Sequence, residues 1–572
     1  MIYKHPHTAV GTGCFLLYVL LLLPGCTTPE DRTGLQFEVT LADEAFADIA
    51  ALGLETPING RLFVVISRDD ESEPRRQVGV SGVPFWGVDV ENLTAGDKVI
   101  VKPGANGFRG FPLDDFAKLP ADTYNVQALL SVYTTFSRAD GHTVSLHLNS
   151  GAGQNQWRAP GNAHSTVAQH ALDPAKRSTV QLTVDAVIQP ERPLAAGEVL
   201  QQGNPEESEH VKFVKIKSEK LSAFWGHPMY IGANVLLPAD YNSIPNKQYP
   251  VLYMQGHFPG GRAPFSFVKG SAGRGRSAGF ADYWMSDAAP DLIVVSIRDA
   301  NPYYDTSYSV NSANLGPYGD AIMEELIPAL ESRFRMIPDG DARLLAGGST
   351  GGWEALAMQI YYPDDFGGAW GWCPDAVDFN YHQIVNIYED DNAYYTDSEW
   401  HRVERPNARS FDGNIRSTVR QENHMELATG SNSRSGGQWA VWEAVYGPVG
   451  DNGYPRPIWD AETGKIDKET AQYWKENYDL HEQLRSRWET LGPKLTGKLH
   501  IATGDMDSYY LDNAVYLMEE FLNEASNPRA QARVTYGRRK PHCWIGESPV
   551  RPGENLNYIE FVQDVEDYLR RR

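Results

Sequence analysis

The sequence predicts an all-β domain followed by a larger α/β domain built on a parallel sheet. From about residue 34 to residue 189, short runs of alternating apolar and polar residues are separated by turns, as in antiparallel strands. From about residue 211 onward, near-continuous apolar runs alternate with helical segments, which is typical of parallel strands buried on both faces. Within that second region, a glycine-rich turn over Gly347–Gly352 joins an apolar strand to a predicted helix.

The first 33 residues predict export and a lipid anchor. The apolar run Cys14–Leu23 is short for a membrane span and has the layout of a secretory signal. Leu23–Cys26 resembles a bacterial lipobox, in which Cys26 becomes the lipidated first residue of the mature protein. We therefore predict a lipoprotein signal peptide over residues 1–25 and a tether over residues 26–33. A plain signal peptide or an uncleaved anchor is the alternative.

The sequence also restricts where the protein acts and what it binds. Thr27 is not the aspartate associated with inner-membrane retention, so the lipobox resemblance implies a protein anchored to the cell envelope at the outer membrane. The formal net charge of −23 argues against a nucleic-acid partner, which would require a basic surface.

The two domains are joined by a polar segment. Residues 34–189 predict a β-sandwich of immunoglobulin-like type, without a cluster of catalytic residue types, and we expect a spacer or substrate-presenting module. Residues 190–209 predict a linker, because the segment is polar and rich in proline. Residues 210–572 form the predicted α/β domain, which opens with an antiparallel hairpin and continues with parallel strands.

The turn at Gly347–Gly351 matches the G-x-S-x-G pattern of a nucleophile elbow. A serine on a strained turn exposes its hydroxyl group, and glycines around it allow strand and helix to pass closely. The N-terminal N–H groups of the following helix point to where an oxyanion would form. Ser349 is therefore a candidate nucleophile; the alternative is a serine that only caps the helix.

A serine nucleophile needs a base and an acid that orients the base. Residues 499–502 predict a strand that is followed by Asp505 and Asp507, and residues 532–536 predict a strand that is followed by His542. This serine–acid–histidine order is the one found in α/β-hydrolases. His542 is the candidate base, and the two aspartates remain alternatives on position alone.

From about Val211 to the end, the chain resembles the putative-esterase family of α/β-hydrolases, which includes S-formylglutathione hydrolases, feruloyl esterases and enterochelin esterases. The residues that carry this resemblance are Tyr249–Met254, Gly347–Gly352, Gly504–Asp507 and His542–Trp544. The resemblance implies an α/β-hydrolase fold. It also implies that Asp507, three positions after the strand-ending glycine, is the acid, with Asp505 as second choice.

The predicted oxyanion hole uses the backbone N–H of Thr350 and one N–H from the loop after Met254. That loop departs from the His-Gly order of the family. The second donor is therefore either His257 or Phe258, and we favour Phe258.

Residues from about 376 to 496 exceed an ordinary connection, and an insertion at this position in an α/β-hydrolase usually forms a cap over the nucleophile. Its aromatic residues could shape the pocket or pack the core of the cap: Tyr381, Tyr394, Tyr395, Trp400, Trp439, Trp442, Tyr446 and Trp459.

Four cysteines are present, and Cys373 and Cys543 remain if Cys14 leaves with the signal and Cys26 is lipidated. We hypothesise a disulfide between Cys373 and Cys543 that steadies the histidine loop, with two buried free thiols as the alternative.

Together these features predict a serine esterase that acts on a small-molecule or glycan-linked ester, with carbohydrate-linked or aryl esters weakly favoured. No cofactor is expected, because the chain lacks a dinucleotide fingerprint and a phosphate loop. No metal is expected either, because clustered Cys/His ligand spacing is absent from the sequence. An acyltransferase or peptidase with the same triad, or a non-catalytic surface binding protein on a hydrolase fold, is the alternative.

Overall fold

The computed structural model describes residues 34–151, 153–257 and 263–572. The predicted signal peptide and tether, the lipidation residue Cys26 and the oxyanion candidate Phe258 lie outside these described residues, so the lipid anchor and its location stay predictions. Across the described ranges, the structure contains no helix of the length and apolar character needed to cross a membrane.

The N-terminal domain is built almost entirely of strands, with one helix, α1 (Asp43–Ala51). Its strands are β1 (Leu35–Leu41), β2 (Ile58–Ser67), β3 (Phe85–Leu93), β4 (Lys98–Val101), β5 (Arg109–Phe111), β6 (Asp122–Ser137), β7 (Thr143–Leu146), β8 (Ala163–Ser165), β9 (Ala168–Leu172) and β10 (Ser178–Val187).

These strands pair along one continuous path in the order β4-β1-β10-β8-β6-β2-β3-β5, and β7 and β9 both pair with the long strand β6. Strands β1 and β10 run parallel, which places the start and the end of the domain side by side. At the start of β6 the Tyr124 hydroxyl donates to the carbonyl of Pro120 at 2.7 Å, a contact that resembles the tyrosine corner of immunoglobulin-like domains. The immunoglobulin-like assignment itself stays a prediction.

The C-terminal half contains the predicted sheet. Its strands in chain order are β11 (Val211–Ser218), β12 (Met229–Leu236), β13 (Val251–Gln255), β14 (Ile293–Arg298), β15 (Asn311–Ser312), β16 (Gly316–Pro317), β17 (Arg343–Gly348), β18 (Gly368–Trp372), β19 (Tyr395–Asp397), β20 (Arg402–Glu404), β21 (Pro406–Arg409), β22 (Ile415–Thr418), β23 (Leu499–Gly504) and β24 (Arg533–Gly537).

Eight of these strands form one sheet in the order β11-β12-β14-β13-β17-β18-β23-β24. The pairs β11/β12 and β12/β14 are antiparallel, whereas every pair from β14 to β24 is parallel. The predicted entry hairpin and parallel sheet are therefore confirmed. The carboxyl ends of β13, β17, β18, β23 and β24 meet at one edge, where ligands of such sheets bind.

The C-terminal half also contains helices, several of which lie in the segment predicted as a cap. They are α2 (Glu219–Trp225), α3 (Phe280–Trp284), α4 (Tyr318–Ala321), α5 (Ile327–Arg333), α6 (Thr350–Tyr361), α7 (Val419–Thr429), α8 (Gln438–Tyr446), α9 (Lys468–Asn477), α10 (Leu480–Leu495), α11 (Asp512–Glu524) and α12 (Tyr558–Arg571). A π-helical turn over Ile322–Leu326 joins α4 to α5. Helix α6 is buried along nearly its whole length, because it crosses the sheet directly behind β17 and β18.

The segment predicted as a cap contains strands β19–β22 and helices α7–α9, while α10 packs against α6 as an ordinary crossover helix before β23. Helix α7 begins with a capping box, in which the Thr418 hydroxyl accepts from the N–H of Gln421 and the Gln421 side chain accepts from the N–H of Thr418.

The N-terminal domain packs directly on the C-terminal half. The buried Arg61 guanidinium donates to the carbonyl of Ala428 in α7 at 2.9 Å and forms an ion pair with Asp89 at 2.7 Å. Directly after β7, the imidazole of His147 stacks on Tyr304 at 4.1 Å between ring centroids. The predicted linker is also packed, because the buried Gln202 side chain donates to the carbonyls of Tyr230 and Ala300, both at 2.9 Å.

Candidate active site

Ser349 lies on a tight turn between β17 and α6. Its φ of 59° and ψ of −127° are unusual for a residue with a Cβ atom, as expected for a serine held on a strained elbow. The flanking positions must be glycine because neighbouring backbone atoms approach them too closely to leave room for a Cβ atom. A Cβ atom on Gly347 would lie 2.2 Å from the carbonyl oxygen of Gly351, and one on Gly351 would lie 2.4 Å from that of Gln255. The strand–turn–helix arrangement predicted from the sequence is therefore present.

The structure brings Ser349, His542 and Asp507 into one hydrogen-bonded chain. The Nε2 atom of His542 lies 2.8 Å from the hydroxyl oxygen of Ser349, and its Nδ1 atom lies 2.7 Å from a carboxylate oxygen of Asp507. Each side chain follows a different strand, β17, β23 or β24, at the same edge of the sheet. In this geometry the imidazole can take a proton from the serine while the carboxylate fixes its tautomer.

The two aspartates after β23 have different surroundings. Asp507 is completely buried, and its second carboxylate oxygen accepts from the backbone N–H of Tyr509 at 2.9 Å. Asp505 instead accepts from the backbone N–H of Arg539, in the turn that follows β24. The structure thus places Asp507 against the imidazole and Asp505 in a turn-stabilising position.

The surroundings of His542 favour its protonated form. Burial alone lowers the pKa of His542, but the charge and hydrogen bond of Asp507, assisted by Cys543, outweigh it and raise the pKa well above its ordinary value. His257 also faces this imidazole, and the Tyr509 ring packs edge-on against it at 5.1 Å between centroids.

This shift predicts the pH dependence of catalysis. A general base must be neutral to accept a proton, so kcat/KM for an ester should be low on the acid side and rise as His542 loses its proton, with a midpoint above 6.5. A kcat/KM profile between about pH 5 and about pH 10 measures this midpoint. The Asp507→Asn variant should shift the midpoint to lower pH, because the carboxylate that stabilises the imidazolium is gone. A wild-type midpoint below that of the variant would contradict this account.

Thr350, the first residue of α6, is buried and fixed by its side chain. Its hydroxyl donates to a carboxylate oxygen of Asp375 at 2.9 Å, and the same oxygen accepts from the Tyr308 hydroxyl at 2.8 Å and the Trp442 indole N–H at 3.2 Å. Burial raises the pKa of Asp375, although His257 and these hydrogen bonds act in the opposite direction. Asp375 therefore ties the first turn of α6 to Trp442 of α8.

Of the two candidates for the second oxyanion donor, His257 lies within the described residues. It borders the same cavity as Ser349, and its Nδ1 atom lies 3.0 Å from a carboxylate oxygen of the buried Asp305. Burial lowers the pKa of His257, but the Asp305 carboxylate more than compensates, so the net shift is upward. The sequence alone did not decide whether this side chain reaches a substrate; the structure shows it half-buried, facing Asp305, on the wall of the cavity that Ser349 also borders.

The site opens into a cavity of about 690 Å³. Trp439 and Trp442 of α8 line this cavity, whereas Tyr394, Tyr446 and Trp459 are buried in the cap and Trp400 is 80% exposed. Of the cap aromatics named from the sequence, two shape the pocket and most of the others pack the cap.

Cys373 and Cys543 are both free cysteines in the structure, so the expected bridge is not formed. They are nevertheless neighbours: the two sulfur atoms and a ring nitrogen of His542 lie within 4.8 Å of one another. The Cys373 thiol and His542 lower the pKa of Cys543 to about 4. We assign no metal to this trio, because both ring nitrogens of His542 are already engaged by Ser349 and Asp507.

Sequence reasoning missed Tyr308, Asp305 and Asp375. All three follow the carboxyl end of a parallel strand, β14 for the first two and β18 for the third. The rule that located Asp507 and His542 would have found them, had every polar residue after a strand been considered.

Residues 227–429 match the family model Esterase, described as putative esterase. This match confirms the resemblance predicted from the sequence and supports a carboxylic ester hydrolase. A curated relative, the endo-1,4-beta-xylanase/feruloyl esterase of Xylanibacter ruminicola, is 30% identical over 144 residues, which cover 24% of this chain. The chain spans 19% of the length of that relative.

The solved structures that align with this chain share little of its sequence. A ferulic acid esterase aligns with 63% of this chain and 98% of its own at 16% identity and a TM-score of 0.33. The S-formylglutathione hydrolase of Agrobacterium tumefaciens aligns with 63% of this chain and 95% of its own at 12% identity and a TM-score of 0.31.

Proposed function

We propose that this chain, which matches the putative-esterase family over residues 227–429, is a serine hydrolase that cleaves carboxylic esters through an acyl-enzyme. The observation that carries the proposal is the chain of hydrogen bonds from Ser349 through His542 to Asp507, at 2.8 and 2.7 Å, at the edge of a cavity that can admit a substrate.

The geometry supports the following steps. The Ser349 oxygen attacks the ester carbonyl while His542 accepts its proton, and Asp507 stabilises the imidazolium that forms. The backbone N–H of Thr350, at the N-terminus of α6, is directed toward the developing oxyanion, and the positively charged form of His257 adds favourable charge nearby. His542 then protonates the departing alcohol. A water molecule deprotonated by the same imidazole releases the acid.

The cavity favours esters that carry a ring. Trp439, Trp442 and Tyr509 offer flat apolar surfaces, and the side-chain amides of Gln383 and Gln438 offer hydrogen bonds. We therefore propose carbohydrate-linked or aryl esters as substrates. The words feruloyl esterase in the name of the curated relative agree with an aryl ester.

The test compares esters with matched amides and with an acceptor. Purified enzyme is given 4-nitrophenyl esters, the corresponding 4-nitroanilides, and esters together with a primary alcohol, and Ser349→Ala measures the background. We expect turnover of esters, far slower turnover of anilides, and free acid as the main product. Comparable anilide turnover would indicate a peptidase, and diversion of the acyl group to the alcohol would indicate an acyltransferase. A folded enzyme that turns over none of these compounds would contradict the proposal.

A further inference from the structure

The catalytic cavity is walled in part by the N-terminal domain. The cavity that Ser349 and His542 border is also bordered by two segments of the β-domain, which are Val78–Gly79 and Gln154–Trp157. The N-terminal domain is therefore not a remote spacer; its residues face the space in which a substrate of Ser349 would lie.

Trp157 has the largest side chain among the β-domain residues that line the cavity, and its ring is held in place by neighbouring side chains. Its centroid lies 4.8 Å from that of Phe63 and 5.5 Å from that of Phe85, two rings buried in the β-domain. The guanidinium of Arg75 donates to the carbonyl of Trp157. A half-buried indole fixed on one side by two rings keeps the rest of its surface available at low entropic cost.

The cap meets the β-domain at this wall. Met425 of α7 packs against the same apolar cluster as Trp157, and the carbonyl of Ala428, one turn further along α7, accepts from Arg61. Glu422 and Glu426 of the same helix also line the cavity. A buried arginine therefore joins α7 to β2 directly beside the cavity.

The same cavity contains buried oxygens without a hydrogen-bond partner. Across residues 34–151, 153–257 and 263–572, four such atoms belong to lining residues: Asn155 Oδ1, Gln383 Oε1, Asn407 Oδ1 and Glu422 Oε2. Buried polar atoms without partners cost free energy, so a cavity that collects them is suited to a ligand that supplies donors. Carboxamide and carboxylate oxygens accept hydrogen bonds, and the hydroxyl groups of a substrate can donate them.

The β-domain is also linked by hydrogen bonds to the start of α6, the helix that follows Ser349. The Gln154 side chain donates to the Gln438 carboxamide at 3.4 Å, and Gln438 donates to the Tyr308 hydroxyl at 2.7 Å. Tyr308 in turn contacts Asp375 and the Thr350 hydroxyl. A chain of hydrogen bonds therefore connects Gln154 of the β-domain to Thr350, the residue that follows Ser349.

We infer that the N-terminal domain determines substrate specificity: Trp157 stacks on, and Asn155 hydrogen-bonds to, a ring-bearing, hydroxylated part of the substrate outside the scissile ester group. This inference rests on the proposed ester hydrolysis. It makes the domain a component of the active site, and the substrate portion it receives is a sugar or hydroxylated aryl ring.

The test uses the full chain with Trp157→Ala, Trp157→Phe, Asn155→Ala and, as a matched control, Trp400→Ala, whose indole is 80% exposed. Three substrates are compared: ethyl acetate, which has no ring, methyl 4-hydroxycinnamate with the ring in the acyl part, and an acetylated methyl glucoside with the ring in the alcohol part. Fluorophosphonate labelling and a thermal melt are recorded for each variant.

We expect wild type to hydrolyse at least one ring ester with a higher kcat/KM than the Trp157 and Asn155 variants do. Trp157→Ala should lower kcat/KM for that ester roughly 10-fold or more, mainly through KM, while kcat/KM for the ring-free ethyl acetate changes by less than about twofold. Trp157→Phe should recover part of the loss, Asn155→Ala should show a smaller selective loss, and Trp400→Ala none.

Three outcomes would overturn the inference: equal losses on the small and ring esters, no loss on either ring ester, or a wild type that turns over neither ring ester. In each case, retained labelling of Ser349 leaves the proposed function standing. Absent labelling of a folded wild type would reject the proposed function itself. If Trp157→Ala does not fold, Asn155→Ala and Trp157→Phe decide the question.

Discussion

Replacing Ser349 by alanine is expected to abolish ester hydrolysis while leaving the fold intact. The hydroxyl is the only group lost, and the turn geometry is set by the glycines around it, so kcat should fall roughly 10⁴- to 10⁶-fold. The KM of any residual activity should change little. Steady-state hydrolysis of a 4-nitrophenyl ester, recorded beside a thermal melt, measures both.

The matched control is Ser332→Ala, which removes an exposed serine hydroxyl in the last turn of α5. Wild-type rates are expected for this control. If Ser349→Ala retained more than about a hundredth of the wild-type kcat, the acyl-enzyme mechanism would have to be abandoned.

Replacing Asp507 by asparagine is expected to have the second-largest effect. Asparagine keeps the size of the side chain but removes the charge that stabilises the His542 imidazolium, and it can hold the ring in the wrong tautomer. We expect kcat to fall roughly 10²- to 10⁴-fold. A fluorophosphonate probe should still modify Ser349 in this variant.

Asp505→Asn is the matched control, because Asp505 is two residues away and its carboxylate binds the backbone N–H of Arg539. It should lower the melting temperature slightly and leave kcat near the wild-type value. The opposite ranking of the two variants would assign the acid to Asp505.

The strand-end rule explains why much of the candidate site could be predicted from the sequence. Ser349, Asp507 and His542 each follow an apolar strand, and parallel strands bring their carboxyl ends to one edge of the sheet. Local pattern was therefore sufficient to single out Ser349 and His542, which are 193 positions apart in the chain, whereas the choice of Asp507 over Asp505 came from the family resemblance.

Other features depend on tertiary docking, which local pattern does not encode. Asp375, which follows β18, accepts hydrogen bonds from Tyr308 in the loop after β14 and from Trp442 in α8. Trp157 can line the cavity only because the β-domain packs on α7. The thiols of Cys373 and Cys543 are neighbours, as expected from their strands, but proximity in a sheet does not fix the geometry that a disulfide needs.

The acidic cap also shows how burial changes side-chain chemistry. Burial raises the pKa of Glu426 to about 7, although its carboxylate accepts from the backbone N–H groups of Trp439 and Ala440 at the start of α8. Burial likewise raises the pKa of Glu422 to about 7, with the neighbouring Glu426 adding to the shift. These two residues line the cavity beside Trp157, so near neutral pH the cap wall carries less negative charge than its composition indicates.

The central claim is that His542 activates Ser349 as a nucleophile. The most direct measurement is labelling of the purified protein with a fluorophosphonate probe, followed by mass spectrometry of the modified peptide. We predict a single adduct on Ser349 in wild type, and no adduct in the Ser349→Ala or His542→Ala variants. An adduct on another residue, or undiminished labelling without His542, would contradict the account.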